Sequence, residues 1–302
     1  MFKLPIGVDI NNLIDDLKFF SWQASDILIN YSQMLNDPFH KKDIIQNNSA
    51  NDPVTLADLE VNDLIINSLN KNYQDINWDI LSEENVKNDL NNLYINNKWL
   101  WILDPLDGTK DYLQGTGNYA MHLALNYEQI PYIGIVLIPE KQELWISNGF
   151  NCWCEKRDGS KRKPNLSHKK NLEDMVLVTS KNHRNKTLKK LINKIDFCKV
   201  NIMGSIGCKI ASIIRGDSDI YISLSLPGES CPRDWDFAAP AAILKAAGGV
   251  ITNIENDELS YNSSDFRQEG IIIASNNKQD HGLICEQIKE IIIRDDIYPL
   301  AI

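Results

Sequence analysis

The sequence predicts an α/β protein whose N-terminal half is α+β, and three observations support this prediction. Two stretches within the first 70 residues repeat their apolar residues at helical spacing. Four strand-like runs then follow one another between residues 99 and 147, and strands alternate with helices from residue 175 onward. With 302 residues the chain can bury a substantial core, either as one large unit or as two packed subdomains.

The individual elements follow from periodicity and from the polar residues between them. Helices are predicted from about residue 10 to 35 and from about 55 to 70. Strands are predicted at 99–103, 120–126, 132–138 and 143–147, and their short polar connections are typical of an antiparallel meander. In the C-terminal part, strands at 175–179, 220–224, 250–252 and 271–274 alternate with helices near 205–215, 238–247 and 281–293, which indicates an α/β unit.

A basic, apolar-poor segment at residues 155–170 separates the two patterns. It contains Gly159 and Pro164, and a solvated loop or subdomain boundary is favoured over a nucleic-acid patch because the chain as a whole is acidic. We therefore predict an N-terminal α+β subdomain over residues 1–155 and a C-terminal α/β subdomain over residues 170–302.

Composition and charge argue against several classes of function. A net charge of -10 disfavours a binder of nucleic-acid polymers, whose affinity would come from Lys and Arg neutralising phosphates. No apolar run approaches membrane-spanning length, and the opening residues lack the apolar core of a signal peptide, so we expect a cytoplasmic protein without a membrane partner. The six cysteines are scattered, which favours reduced thiols and leaves a redox switch as the alternative.

Two carboxylates stand three residues apart where an apolar strand ends, at Asp104 and Asp107. Carboxylate oxygens are the hard ligands that Mg²⁺ prefers. Gly108 lets the backbone approach an anion, and Thr109 can direct its hydroxyl and amide at a water or a phosphoryl oxygen. Because Asp, Pro and Gly also form ordinary turns, this segment alone leaves a metal site and a turn equally open.

Three other acidic segments each have a structural interpretation when taken singly. Thr55 and Asp58 fall in the first turn of the second predicted helix, where they would form a capping box. Glu83 and Glu84 could be a solvated surface pair. Asp236 lies at or near the N-terminus of a predicted helix.

Together and in this order, the four segments resemble the inositol monophosphatase superfamily of metal-dependent phosphatases. The matching elements are Asp-x-Val-Thr-x-Ala-Asp at 52–58, Glu-Glu at 83–84, Trp-x-x-Asp-Pro-Leu-Asp-Gly-Thr at 101–109 and Trp-Asp-x-Ala-Ala at 235–239. Leu-Ser-Glu-Glu at 81–84, Asp-Gly-Thr-Lys-Asp-Tyr at 107–112 and Gly204-Ser205 with Lys209 resemble more closely the CysQ-like 3'(2'),5'-bisphosphate nucleotidase branch. Inositol monophosphatases more often show Gly-Glu-Glu and Asp-Gly-Thr-Thr-Asn-Phe.

The resemblance implies a layered αβαβα sandwich that binds two or three Mg²⁺ ions between its halves. Cations roughly 3.5 to 4 Å apart can clamp the attacking and leaving oxygens of an in-line displacement. The implied ligands are Glu83, Asp104 and the Leu106 carbonyl for one ion, and Asp104, Asp107 and Asp236 for the next. A third, weaker ion would use Glu83 again, with Glu84 as an outer ligand. Most of these ligands fall in the predicted N-terminal subdomain.

The same resemblance implies catalytic roles. Asp58 and Thr109 would orient and deprotonate the attacking water. Glu83 would join them as a catalytic residue through the ion that it holds, and Asp236 would position a water that protonates the leaving oxygen.

Substrate contacts are implied for Gly108, Thr109, Ser180, His183, Ser205, Lys209 and Arg233. The two residues after Asp107 would receive the phosphate through their amides, and Ser180 and His183 would lie near a nucleoside. Ser205 and Lys209 would face a second phosphate. A structural hydrogen bond for His183 and a solvated helix-face charge for Lys209 are the alternatives.

One position departs from the nucleotidase pattern. Ser223 stands where these enzymes commonly have an Arg after a strand Tyr, and Arg233 could supply the missing cation. The expected substrate is a small phosphate ester, adenosine 3',5'-bisphosphate, which would lose its 3'-phosphate to give AMP. The alternatives are an inositol or sugar monophosphate and, in another class, a catalytically silent phosphate-binding regulator. A homodimer is left open.

Overall fold

The structure is a computed structural model of the chain, and it describes residues 4–35, 37, 43–47, 54–88, 95–182, 185–263 and 265–300. Two large sheets organise this part of the chain, and helices cover their faces. The layers alternate as helix, sheet, helix, sheet and helix. The predicted α/β class and the layered αβαβα sandwich are therefore confirmed.

The first sheet has seven strands in the order β3-β4-β5-β6-β7-β8-β9. These strands are β3 (Asp79–Ser82), β4 (Trp99–Asp107), β5 (Ala120–Tyr127), β6 (Ile130–Ile138), β7 (Glu143–Ser147), β8 (Cys152–Glu155) and β9 (Lys161–Arg162). Neighbours pair antiparallel except β3 and β4, which run parallel. The central strands are almost continuously apolar because both faces of the sheet are covered.

Two helices cover the outer face of this sheet, α1 (Ile10–Leu35) and α2 (Leu56–Asn72). Helix α1 begins after Asp9, whose Oδ1 accepts hydrogen bonds from the amides of Asn11 at 2.9 Å and Asn12 at 3.0 Å. A short antiparallel ribbon of β1 (Ile45–Asn47) and β2 (Val54–Thr55) precedes α2. Two short helices follow strands of the sheet directly: α3 (Glu83–Asn88) after β3, and α4 (Thr109–Leu113) shortly after β4.

The second sheet has five strands in the order β11-β10-β12-β14-β13. They are β10 (Val176–Ser180), β11 (Lys199–Met203), β12 (Ile220–Leu224), β13 (Val250–Asn253) and β14 (Ile271–Ser275). Strand β10 is parallel to β11 and β12, whereas β14 is antiparallel to β12 and β13. Helices α5 (Lys186–Lys194) and α8 (His281–Arg294) cover its outer face.

The middle layer consists of α6 (Ile206–Arg215) and α7 (Asp234–Ala247), which share one apolar cluster with both sheets. Helix α7 begins four residues before the predicted start at 238, so Pro240 lies inside the helix. The first residues of α6 and α7 lie beside the end of β4. This arrangement positions the candidate site.

Several elements escaped the sequence prediction because their patterns are weak. Strand β11 lies at a sheet edge with Lys199 and Val200 exposed, so its apolar residues do not alternate cleanly. Helix α5 buries only Leu188 and Leu191 between lysines. The basic segment at 155–170 is not only a loop, because β9 within it pairs with β8. In the described part of the chain, no helix combines the length and apolarity that crossing a bilayer requires.

Candidate active site

One cavity of about 990 Å³ opens where the two sheets and the middle helices meet. The end of β4, the ends of β10 and β12 and the starts of α6 and α7 all contribute to its wall. Predicted site residues on this wall are Glu83, Asp104, Leu106, Asp107, Gly108, Thr109, Ser180, Ser205, Lys209, Arg233 and Asp236. His183 lies outside the described residues.

Three carboxylates form a cluster at one end of the cavity. Each of Asp104, Asp107 and Asp236 offers an oxygen within 4.8 Å of the oxygens of the other two. The pairing register of β4 shifts between the first two of these residues, which turns the strand end and separates their side chains. Asp236 is held at the start of α7, where its Oδ2 accepts a hydrogen bond from the Arg233 amide at 2.6 Å.

Burial and mutual repulsion define the electrostatics of this cluster. Burial raises the pKa of Asp104, and the neighbouring Glu83, Asp107 and Asp236 raise it further. The pKa of Asp236 is raised by burial first and then by Asp107 and Glu83. Oxygen ligands that repel one another in a buried site match the requirements of a hard divalent cation. The residues present therefore fit a site for a hard divalent cation.

Glu83 and Glu84 begin α3 beside this cluster. Lys87, one turn later, places its Nζ 2.9 Å from Glu83 Oε1 and 3.1 Å from Glu84 Oε1. Glu83 lies on the cavity wall, whereas Glu84 is only 3% exposed. Lys87 was not predicted as a site residue, although its spacing of four and three residues from Glu83 and Glu84 is typical of helical ion pairs.

Asp58 is buried at the first turn of α2. Its Oδ2 accepts hydrogen bonds from the Thr55 amide at 2.8 Å and from Thr55 Oγ1 at 2.6 Å. Burial raises the pKa of Asp58 to about 8, with a further contribution from Glu84, although the bonds from Thr55 oppose the shift. Asp58 is thus a buried acid close to Glu84 and Glu83, and it is not among the residues that line the cavity.

The segment after Asp107 forms a tight corner. Gly108 has φ of 90°, and a Cβ there would lie 3.1 Å from both Asn118 O and Ser205 N, so only glycine fits. Thr109 Oγ1 donates a hydrogen bond to the Leu106 carbonyl at 3.1 Å. That carbonyl retains a second lone pair toward the cavity wall that Leu106 lines.

The end of β10 is tied to α4 across the cavity. Asn182 Nδ2 donates to Asp111 Oδ2 at 2.8 Å, and Lys181 Nζ contacts Gln114 Oε1 at 2.6 Å. Ser180 is 7% exposed at the same strand end. Asn182 was missed because its role depends on a contact with Asp111, which no local motif reveals.

Cationic residues lie on the other parts of the wall. Lys209 is buried with its Nζ 5.3 Å from the centre of the Tyr221 ring, and burial lowers its pKa although Asp107 opposes the shift. Arg233 donates from Nη1 to the Asp265 carbonyl at 2.8 Å. Arg267 pairs with Arg233 through a backbone bridge and also lines the cavity. The sequence offered no signal for Arg267, since it lies outside every recognised motif.

A carboxylate cluster between two mixed sheets, in an αβαβα sandwich, is the arrangement expected of a metal-dependent phosphatase of the layered type. The chain belongs to the inositol monophosphatase family, whose family model matches residues 19–292. The family resemblance seen in the sequence is thereby confirmed, and the protein is a hydrolase of this phosphatase family.

Individual relatives support the same placement. The chain is 34% identical over 216 residues to the 3'(2'),5'-bisphosphate nucleotidase CysQ of Buchnera aphidicola, covering 71% of this chain and 76% of the relative. It is 25% identical over 228 residues to inositol monophosphatase 3 of Xenopus tropicalis, covering 71% of this chain and 58% of that protein. The solved extragenic suppressor protein suhB from Bartonella henselae superposes with a TM-score of 0.70 at 20% identity, covering 92% of this chain and 98% of that one.

Proposed function

We propose that the protein is a Mg²⁺-dependent phosphatase that removes the 3'-phosphate from adenosine 3',5'-bisphosphate, giving AMP and inorganic phosphate. The observation that carries this proposal is that one cavity holds both a carboxylate cluster and cationic side chains. Asp104, Asp107 and Asp236 form the cluster, and Lys209, Arg233 and Arg267 line the same wall. A volume of about 990 Å³ is of the size that holds a drug-sized ligand, so a nucleotide with a second phosphate fits.

The residues that would hold Mg²⁺ are Glu83, Asp104, Asp107, Asp236 and the carbonyl of Leu106. When bound, the ions supply charge neutralisation of the phosphate and activation of the attacking water. Because the cluster carboxylates repel one another, the protein should favour the state with bound cations over the state without them.

The chain's own groups would then carry out the proton transfers. Asp58, with Thr109, would take a proton from the attacking water as its oxygen bonds to phosphorus and the bond from phosphorus to the ribose oxygen breaks. Asp236 would orient the water that protonates this leaving oxygen. The amides of Gly108 and Thr109 would receive phosphoryl oxygens at a corner that only glycine can form.

The similarity to the Buchnera nucleotidase supports the choice of substrate. A second candidate substrate is an inositol or sugar monophosphate, because Ser223 stands where a substrate-binding Arg is expected and Arg233 already bonds the Asp265 carbonyl. The metal site does not itself choose the leaving group. Loss of a cluster acid would be the usual sequence mark of a catalytically silent regulator, and all of the predicted acids are present.

The test compares phosphate release from adenosine 3',5'-bisphosphate and inositol 1-phosphate, each with Mg²⁺ and with a chelator. We expect Mg²⁺-dependent turnover with at least a roughly tenfold higher kcat/KM for the bisphosphate, equivalent to about 1.4 kcal/mol of transition-state binding. The opposite preference would assign the inositol substrate, and turnover of neither would argue for a different phosphate ester or for the silent regulator. The Asp104→Asn variant serves as the inactive control.

A further inference from the structure

We infer that the start of α6 is a positioning device for Asp107, and that Ser205 acts on this carboxylate rather than on the substrate. The inference rests on the proposed use of the cluster as a cation site. It concerns how one ligand of that site is held by a helix from the C-terminal part of the chain.

All of the hydrogen bonds that Asp107 accepts from the described residues fall on one oxygen, Oδ2. Ser205 Oγ donates to it at 2.7 Å, the Ile206 amide donates at close range, and the Gly207 amide lies at 3.4 Å. Three donors from one helix start saturate this oxygen. The lone pairs of Oδ1 remain for a cation, so the helix selects which oxygen of the ligand faces the cluster.

Ser205 makes these contacts at a conformational cost. Its φ of 48° lies in a region that glycine adopts freely and other residues avoid. Its hydroxyl has only one hydrogen, which goes to Asp107, and it accepts a bond from the Cys208 amide at 3.2 Å. A hydroxyl that is committed in this way has no hydrogen left for a substrate phosphate. Strain in a serine whose side chain contacts a cluster acid points to a positioning role.

Close packing brings the helix within reach of Asp107. A Cβ at Gly207 would lie 2.2 Å from His122 Nε2 and 2.8 Å from Val136 Cγ1, so α6 can approach β5 and β6 this closely only with glycine there. His122 Nδ1 donates to the Trp235 carbonyl at 3.3 Å, and its Nε2 contacts Asp107 Oδ2 at 3.3 Å without forming a hydrogen bond. The buried His122 ring thus lies between Gly207 of α6 and Asp107 at the end of β4.

The experiment uses Ser205→Gly, which removes the hydroxyl and relieves the backbone at the same time. Mg²⁺ and Mn²⁺ binding is measured by calorimetry without substrate, and the melting temperature is measured in chelator. Loss of a group that orients a metal ligand typically weakens metal affinity 10- to 100-fold, and we expect a loss of about tenfold here. We expect the melting temperature in chelator to stay unchanged or to rise, because the strain is gone.

The matched control is Ser212→Ala on the same helix, which removes a buried hydroxyl that donates to the Lys209 carbonyl at 2.7 Å. It should leave cation affinity unchanged. Gly207→Ala is a second variant, and it should also weaken cation binding by pushing α6 away from Asp107.

Unchanged cation affinity in Ser205→Gly would overturn the inference, and a raised substrate KM with normal cation binding would return Ser205 to the substrate. If the wild type binds Mg²⁺ but does not hydrolyse the bisphosphate, a lowered affinity in Ser205→Gly would still support the positioning role. Only the proposed substrate would then fail. If the wild type binds neither cation, the inference fails together with the metal-dependent mechanism.

Discussion

Asp58 is the residue for which we propose proton transfer, and burial changes its acidity. It is 1% exposed, and its pKa of about 8 reflects burial and the nearby Glu84. The bonds from Thr55 fix the orientation of the carboxylate, and an asparagine oxygen at the same place could accept them as well. Replacing the acid by its amide therefore removes basicity with little change in shape.

For Asp58→Asn we expect kcat for the proposed substrate to fall by about 100-fold or more, with KM nearly unchanged, since general-base catalysis contributes about 10²- to 10⁴-fold. Stability should change little near pH 7, because Asp58 with a pKa of about 8 carries little charge there and an asparagine oxygen can accept the same bonds from Thr55. Steady-state kinetics and chemical denaturation measure both effects. The control is Asp63→Asn, an exposed residue of the same helix, which should retain full activity. Normal turnover in Asp58→Asn would exclude Asp58 as the base.

His281 presents the opposite case, a buried base far from the reaction. It is 1% exposed, and its ring nitrogens lie 2.8 Å from Thr252 Oγ1 and 2.7 Å from Ser275 Oγ. Burial lowers the pKa of His281 to about 4, from 6.5 in a solvated histidine. The unfolded chain therefore binds more protons at this residue between pH 4 and 6.5, so the contribution of His281 to stability rises with pH across that window.

The expected contribution of His281 to the free energy of unfolding is about 3 kcal/mol, present above pH 7 and lost as pH falls toward 4. Carboxylates with raised pKa values, such as Asp58, make the free energy of unfolding fall as pH rises. The pH dependence of the wild type alone therefore does not isolate the contribution of His281. The measurement is the difference in unfolding free energy between the wild type and His281→Gln at pH 5 and pH 7.5. A difference that does not change between these two pH values would show that His281 is not buried in its neutral form.

At the scale of elements, the contact between α7 and β6 holds the middle layer against the first sheet. Gly134 lies at the crossing point, where a Cβ would sit 2.7 Å from Ala242 Cβ and 2.8 Å from the Ala239 carbonyl. Small residues on both sides let the helix lie close to the strand. Because Asp236 is carried by the first turn of α7, this packing also sets the position of one cluster acid.

We expect Gly134→Ala to destabilise the protein by about 1 to 3 kcal/mol, since overpacking displaces helix and strand. Denaturant titration measures this loss. Gly282→Ala in α8 is the matched control, because its Cβ would meet only the flexible end of Asn256 at 3.3 Å. Alanine there should be neutral or stabilising by up to about 1 kcal/mol. Equal stability of Gly134→Ala and the wild type would show that α7 and β6 can move apart at this contact without loss of stability.

The predictability of elements depended on how strongly each one is buried. Long runs such as β4 and β6 were found because covered sheet faces demand continuous apolar residues. Edge strand β11 and helix α5 were missed because exposed positions carry no pattern. Helix α7 was predicted from 238 and begins at Asp234, although Asp236 was already expected at or near its N-terminus.

The candidate site was accessible to sequence reasoning mainly through the family resemblance. Asp104 and Asp107 could be joined by spacing alone, because they end one strand. Asp236 comes from a distant helix, and nothing in local periodicity shows that this helix starts beside β4. The bond from Ser205 to Asp107 depends on how closely α6 packs, so it required the three-dimensional structure.

At the scale of the whole molecule, the middle helices share an apolar core with both sheets and form an ion pair with the first sheet. Helix α7 belongs to the C-terminal part of the chain yet packs on β5 and β6. Arg215 of α6 contacts Glu143 of β7 at 2.8 Å, with both side chains 7% exposed. The division into subdomains at residues 155–170 stays a prediction, and such contacts imply that the two parts stabilise each other.

The acidic cluster sits at this junction, in a chain of net charge -10, so cation binding should stabilise the entire fold. The cluster acids come from β4 in the first sheet and from α7 in the middle layer. Without cations their charges repel, as the raised pKa values of Asp104 and Asp236 indicate. Cation binding would relieve this repulsion and link the layers, and the stabilisation would follow mass action.

At a Mg²⁺ concentration 100 times the dissociation constant, stabilisation is about 2.7 kcal/mol, or about 5 °C in melting temperature for a chain of this length. Calorimetry with Mg²⁺ and with chelator measures the shift, and NaCl at equal ionic strength controls for general screening of the net charge. Asp104→Asn should lose the Mg²⁺ dependence while melting no lower than the wild type in chelator, because it removes a repulsive buried acid. An equal rise with NaCl would show that screening, and not binding at the cluster, stabilises the fold.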